Sequence, residues 1–140
     1  MKILFMCVAN SARSQLAEGL AKNIFGPDVW IESAGSEPKL VNPFAIQVLE
    51  EVGIDISNNR SKSYEQLSPG FIVGLDYIIT LCAEEVCPVV ASKTAKRLHW
   101  PFPDPASKEP LTDDEMIKRF RHARDSISSR LKKFKLESLL

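Results

Sequence analysis

The chain has no surplus of charge of either sign: Lys plus Arg and Asp plus Glu number 18 each in 140 residues. A surface without a dominant sign offers no footprint for nucleic acid or an anionic membrane, so neither is expected as a partner. Long hydrophobic runs are missing too, and no stretch approaches the length needed to cross a bilayer. Met1-Lys2 leads directly into an apolar strand, which leaves no room for a signal peptide. The protein is therefore expected in the cytoplasm, where thiols are kept reduced. Cysteine is scarce and odd in number, at three, which argues against a disulfide framework. The two histidines, His99 and His122, are not spaced with the cysteines as metal ligands usually are, so no metal site is expected. Internal repeats, low-complexity segments and domain boundaries are also lacking. With 44% hydrophobic and 26% charged residues, residues 1–140 read as a single globular domain able to bury a core. For the cysteines, nucleophilic or redox roles remain.

What is present is organised around Cys7-Val8-Ala9-Asn10-Ser11-Ala12-Arg13-Ser14. The apolar run Ile3–Met6 before it reads as a buried strand. Gln15 to Phe25 after it carries Leu16, Leu20, Ala21 and Ile24 at helical spacing. A turn from strand to helix points backbone N–H groups into one concavity, at the positive end of the helix dipole. Such a concavity suits a tetrahedral oxyanion. Its lining is Val8, Ala9, Asn10, Ser11, Ala12, Arg13 and Ser14. The same field favours a thiolate, as does a guanidinium nearby, which makes Cys7 a nucleophile. Arg13 adds a planar fork for two oxyanion oxygens. The Ser14 hydroxyl stands where it can cap the helix or hydrogen-bond the cysteine sulfur. A buried, inert cysteine beside an ordinary helix cap is the plainer alternative.

The rest of the chain alternates strands and helices. Gly26-Pro27-Asp28 marks a turn, Val29–Ser33 a second strand closed by Ala34-Gly35, and Trp30 is placed in the core. Asn42 caps a second helix with Pro43 in its first position; Ala45, Ile46, Val48, Leu49 and Val52 form its apolar side and Gly53 ends it. Residues 54–70 are polar and turn-rich, with a short helical turn at Tyr64–Leu67. Asp76–Cys82 is a third strand and Ala95–Trp100 a fourth. The proline-stiffened loop Pro101-Phe102-Pro103-Asp104-Pro105 follows. Thr112 and Glu115 make a capping box, and Ile117, Phe120, Ala123, Ile127, Leu131 and Phe134 give the last helix its buried stripe. The basic residues of that helix read as a solvated face, and His99 and Trp100 as packing residues.

This order predicts an α/β fold: a three-layer sandwich with a four-stranded parallel sheet flanked by helices. Functional loops then gather beyond the carboxyl ends of the strands. Cys7 ends strand one, Cys82 ends strand three and Asp104 follows strand four, so all three share one edge. Cys82 and Cys87 enclose four residues. Together with Cys7 they can form a relay in which each thiol attacks the preceding sulfur. Otherwise Cys82 is a strand-end residue and Cys87 an incidental thiol. Asp104 is either a surface turn residue or, with its loop folded over the cradle, a proton donor to a departing oxygen.

The whole chain resembles the thioredoxin-coupled arsenate reductases built on the low-molecular-weight tyrosine phosphatase fold. The matching stretches are Cys7–Gly19, Ser33-Ala34-Gly35, Val52–Ser57, Thr80-Leu81-Cys82 and His99–Ala106. The resemblance implies that Cys7 attacks arsenate held by the loop amides and Arg13 while Asp104 protonates the leaving oxygen. Cys82 then attacks Cys7, Cys87 attacks Cys82, and thioredoxin reduces the resulting bridge. No bound cofactor is implied, and a monomer is expected.

Three departures from the family pattern stand out. Ala9 replaces a usual glycine and must adopt angles that glycine often takes, and Ala12 stands where many members have a cysteine. The Cys82–Cys87 segment is shorter than in well-known members. Asn10, Glu18 and Ser33 match a potassium site that some members have, but Lys62 occupies an aspartate position. Its ammonium takes the cation's place, and no potassium is expected. The rival reading is a low-molecular-weight tyrosine phosphatase using Cys7, Arg13 and Asp104, with water resolving the intermediate. Against it, Ala106 and Ser107 follow Pro105 where the phosphatases have an aromatic wall. A third reading is a redox or oxyanion sensor without turnover.

Overall fold

Ile3, Leu4, Phe5 and Met6 are each at most 1% exposed, so β1 (Lys2–Cys7) is buried on both faces and must lie centrally in its sheet. In this computed structural model, which describes residues 1–83, 90–106 and 109–138, that is its place. The sheet order is β2-β1-β3-β4, with β2 at Trp30–Gly35, β3 at Tyr77–Thr80 and β4 at Lys96–His99, and every pairing is parallel. The register sets Cys7 opposite Gly35, Met6 opposite Thr80 and Thr80 opposite His99. The carboxyl ends of all four strands thus form one edge, as the alternating pattern predicts.

Alternate β1 side chains feed two cores. Ile3 and Phe5 pack under α1 (Arg13–Phe25), α2 (Pro43–Glu50) and α4 (Asp113–Ser138), with Leu16, Leu20, Val48, Leu49, Phe120 and Leu131. Leu4 and Met6, with Ile78 of β3, pack in a thinner layer against Leu75 and against Phe71 of the four-residue α3 (Pro69–Ile72). A 3₁₀ turn at Tyr64–Gln66 stands where the short helical turn is predicted, whereas α3 has no counterpart in the sequence reading. Gly19 lets α1 approach α2: a Cβ there would lie 2.8 Å from Leu49 and 2.9 Å from Ile56. β4 is an edge strand whose Lys96, Arg97 and His99 face solvent, a charge pattern that protects an edge from further pairing.

Several expectations change. Trp30 is 43% exposed rather than in the core, because it begins the edge strand β2. It lies edge-on against Phe71 with the Lys2 ammonium over its ring. α2 stops at Glu50, which leaves Val52 exposed in the turn that Gly53 completes at φ 79°. The basic face of α4 is only partly free. Arg121 Nε donates to Glu51 at 3.0 Å and Arg124 Nη1 at 2.9 Å, while Lys135 Nζ caps the Ile24 carbonyl at the end of α1 at 2.9 Å. His99 and Trp100 hold structural places: His99 Nδ1 bonds Thr80 Oγ1 at 2.7 Å, and Trp100 packs on Phe5 and Phe134 beneath Arg130. No helix is long and apolar enough to cross a membrane among the described residues.

Candidate active site

The loop between β1 and α1 is shaped by where its carbonyls go. Val8 O accepts from Glu37 N–H and Ala9 O from Lys39 N–H, each at 2.9 Å; Ser11 O accepts from Asn42 N–H at 3.0 Å and Asn10 O from the Ser61 hydroxyl at 2.7 Å. Four successive carbonyls are thus taken by donors outside the loop. In a trans peptide the N–H lies opposite the carbonyl. The N–H groups of Ala9, Asn10, Ser11 and Ala12 are therefore aimed the other way, into the concavity. Gly35 permits the wrap, because a Cβ there would collide with the Val8 carbonyl.

Asn10 is the turning point. It has φ 48° and is the one non-glycine with positive φ among the described residues. The left-handed conformation falls on Asn10 and not on Ala9, which corrects the expectation for Ala9. Asparagine is the more tolerant residue there. Its fully buried side chain is fixed end for end: Oδ1 accepts from Lys62 N–H at 2.9 Å, so Nδ2 must donate, to Ser33 Oγ at 2.9 Å and Ser14 Oγ at 2.8 Å.

This orientation propagates. The Ser33 hydroxyl in turn donates a hydrogen bond to Glu18 Oε1 at 2.6 Å. Ser14, already accepting from Asn10, has its hydroxyl proton left for Cys7 Sγ at 2.9 Å. A charged sulfur can only accept, so the hydroxyl suits a thiolate. Of the two roles open to Ser14, the structure takes the bond to sulfur. The α1 N-cap is Ala12, with no side-chain cap. Glu18, 3% exposed, is met by the Lys22 ammonium at 3.0 Å and Asn59 Nδ2 at 3.1 Å, with the Lys62 ammonium 3.8 Å away.

Arg13 is 5% exposed, and its Nη1 donates to Phe102 O at 3.0 Å. Its Nη2 lies 3.9 Å from Asp104 Oδ2, so the loop after β4 does fold over the cradle. Cys7, Ala9, Ser11, Ala12, Arg13 and Asp104 line one cavity of about 210 Å³, with Ala106 and Lys39 at its sides. Lys39 was missed by sequence reasoning, because the loop carrying it has no periodic signal. Val8, Asn10 and Ser14 are not part of that lining; they support it from behind. Cys82 is buried at the same sheet edge but does not line the cavity, and it is in a disulfide while Cys7 is free. Cys87 lies outside the described residues. No cluster able to hold a metal ion occurs among the described residues.

A strand-to-helix cradle with cysteine, arginine and a facing aspartate has the groups that covalent chemistry on an oxyanion requires. The low molecular weight phosphotyrosine protein phosphatase family matches residues 2–139. The chain belongs to that family. Within the family, similarity runs to reductases. An arsenate reductase of Halalkalibacterium halodurans is 42% identical over 134 residues, which is 94% of this chain and 93% of its own. A solved arsenate reductase in a phosphate-binding state is 31% identical with a TM-score of 0.75, covering 97% of each chain. A thioredoxin-dependent arsenate reductase of Corynebacterium glutamicum is 29% identical with a TM-score of 0.60, covering 94% of this chain and 61% of its own. The family's three-layer fold is the one described above.

Proposed function

We propose that this chain is an arsenate reductase, turning arsenate into arsenite with electrons from thioredoxin, and so serves arsenic detoxification. The reading rests on one observation above others: a second buried cysteine at the strand end beside the cradle. Leu81 N–H bonds Met6 O at 3.0 Å, so the chain leaving β3 toward Cys82 runs alongside the end of β1 that carries Cys7. A phosphatase, whose intermediate is resolved by water, needs no such thiol. The arsenate reductases at about 42% identity over nearly the whole chain support the same reading, and the named dependence of the Corynebacterium relative supports thioredoxin.

In the proposed cycle the loop amides and Arg13 hold arsenate, and the Cys7 thiolate attacks arsenic while Asp104 gives a proton to the departing oxygen. Cys82 then attacks the Cys7 sulfur. The electron pair of the sulfur–arsenic bond leaves with arsenic, which departs as arsenite, and a Cys7–Cys82 disulfide remains. Cys87 attacks Cys82, freeing Cys7 and moving the bridge to Cys82–Cys87, which thioredoxin reduces at the expense of its own dithiol. The proposed cycle calls for no bound cofactor. The Lys62 ammonium, 3.8 Å from Glu18 and 3.4 Å from Glu32, supplies a cation at the network's far end, and we infer that potassium is not required. We further infer a single catalytic domain that works as a monomer in the cytoplasm, since the relay consumes free thiols and one chain supplies every described site residue.

Turnover of arsenate with thioredoxin, thioredoxin reductase and NADPH tests the cycle. The Cys7→Ser, Cys82→Ser and Cys87→Ser variants are each expected to fall to background. The cradle distinguishes phosphate from arsenate poorly, so weak hydrolysis of an aryl phosphate is expected, dependent on Cys7 and surviving Cys82→Ser. Full arsenate turnover by Cys82→Ser would contradict the relay, and hydrolysis far exceeding reduction would favour the phosphatase.

A further inference from the structure

We propose that Arg119, on α4, is a positioning residue that sets the reach of Asp104. The inference rests on Asp104 being the proton donor. Pro101, Pro103 and Pro105 carry no N–H, so the loop they stiffen has few donors with which to hold its own shape. Its ends are anchored: Phe102 and Ala106 pack against the main core, and Phe102 N–H bonds Leu81 O at 3.2 Å. Its centre is held differently. Arg119 Nε donates to Pro105 O at 2.9 Å and Nη2 donates to Asp104 O at 3.2 Å, so a single guanidinium grips both carbonyls at the acid itself.

Packing does not replace that grip. A cavity of about 400 Å³ separates loop from helix, with Phe102, Pro103 and Pro105 on one side and Lys118, His122 and Ser126 on the other. Arg119 acts as a strut along it. From the cradle side, Arg13 takes the Phe102 carbonyl at 3.0 Å, so two arginines hold the loop from opposite directions. Among the described residues the Asp104 carboxylate has little else to fix it: it is 44% exposed and 3.9 Å from Arg13, and its Oδ1 accepts from Ala106 N–H within its own loop. A carboxyl held this way is placed by its backbone. Displacement by about 1 Å can cost on the order of 10²-fold in rate.

Charge and geometry are separable here. Lysine keeps the charge but cannot span both carbonyls as the planar guanidinium does. The test is the rate of arsenite formation in a single turnover of the full chain, a step that does not involve thioredoxin, as a function of arsenate concentration. Arg119→Gln and Arg119→Lys are both expected to lose about tenfold in maximal rate, with half-saturating arsenate changed by less than about twofold, because the loop amides and Arg13 side chain that hold arsenate make no bond to Arg119. Asp104→Asn should lose more, and adding Arg119→Gln to it should cost nothing further. A wild-type rate in Arg119→Lys or Arg119→Gln would overturn the proposal, as would a full multiplicative loss in the double variant. If Asp104→Asn itself keeps the wild-type rate, the acid assignment fails, and the proposal with it.

Discussion

At the residue scale, the cradle depends on a side chain whose chemistry is far from the reaction. Asn10 turns the loop at φ 48° and orders a polar chain running from Glu18 through Ser33 and itself to Ser14 and Cys7. Alanine at position 10 would keep the strained backbone angle without the side-chain bonds. The left-handed conformation costs roughly 1–2 kcal/mol and each orphaned buried partner about 1–3 kcal/mol. Asn10→Ala is therefore expected to lower unfolding stability by at least about 3 kcal/mol in urea melts, whereas a loss below about 1 kcal/mol would show the network to be incidental. Ser14→Ala removes only the last link. It should slow alkylation of Cys7 by iodoacetamide near neutral pH by several-fold, the direction expected when a thiolate loses a hydrogen bond. Unchanged alkylation would mean that the 2.9 Å contact does not stabilise charged sulfur.

At the scale of elements, α2 and α4 are joined by a charged staple as well as by Val48, Leu49 and Phe120. The Glu51 carboxyl is held below its ordinary value, chiefly by the hydrogen bond from Arg121, with burial opposing and Arg124 adding. Because the folded value is the lower one, the contribution to stability is full above the ordinary value of about 4.5 and is lost as pH falls through the folded value. Glu51→Gln should thus lower Tm at pH 7, and the gap to the wild type should close on acidification below pH 4.5. A gap of equal size at pH 3 would assign the effect to packing. Element types were legible in the sequence wherever burial set the pattern. The strands, the Asn42 cap and the Thr112–Glu115 box all stand where expected; Thr112 Oγ1 donates to Glu115 Oε1 at 2.9 Å, and Asn42 Oδ1 accepts from Phe44 N–H at 2.9 Å. The four residues of α3 were not legible, being too few for any period to develop. Trp30 was misplaced because an aromatic at the start of a strand carries no mark of which strand will be the edge.

At the scale of the whole molecule, the sheet order converts distant sequence positions into one working edge. Cys7, Arg13 and Asp104 could be brought to one candidate site from sequence because a strand, a spaced cysteine and arginine, and a proline-bound aspartate each restrict the chain strongly. Lys39 and Arg119 could not be. Their roles depend on which loop a long cation reaches, and no local pattern encodes that. The parallel register also brings the chain leaving β3 toward Cys82 alongside the end of β1, the placement on which the proposed relay rests, since β1 and β3 end together.

The most direct test of that relay is a disulfide map of the Cys87→Ser chain, reduced and then exposed to arsenate without thioredoxin. One arsenite released per chain and a bridge between Cys7 and Cys82, identified by peptide mass, are expected. Stoichiometric arsenite with both sulfurs still free, or no arsenite from a chain that retains Cys7 and Cys82, would contradict it.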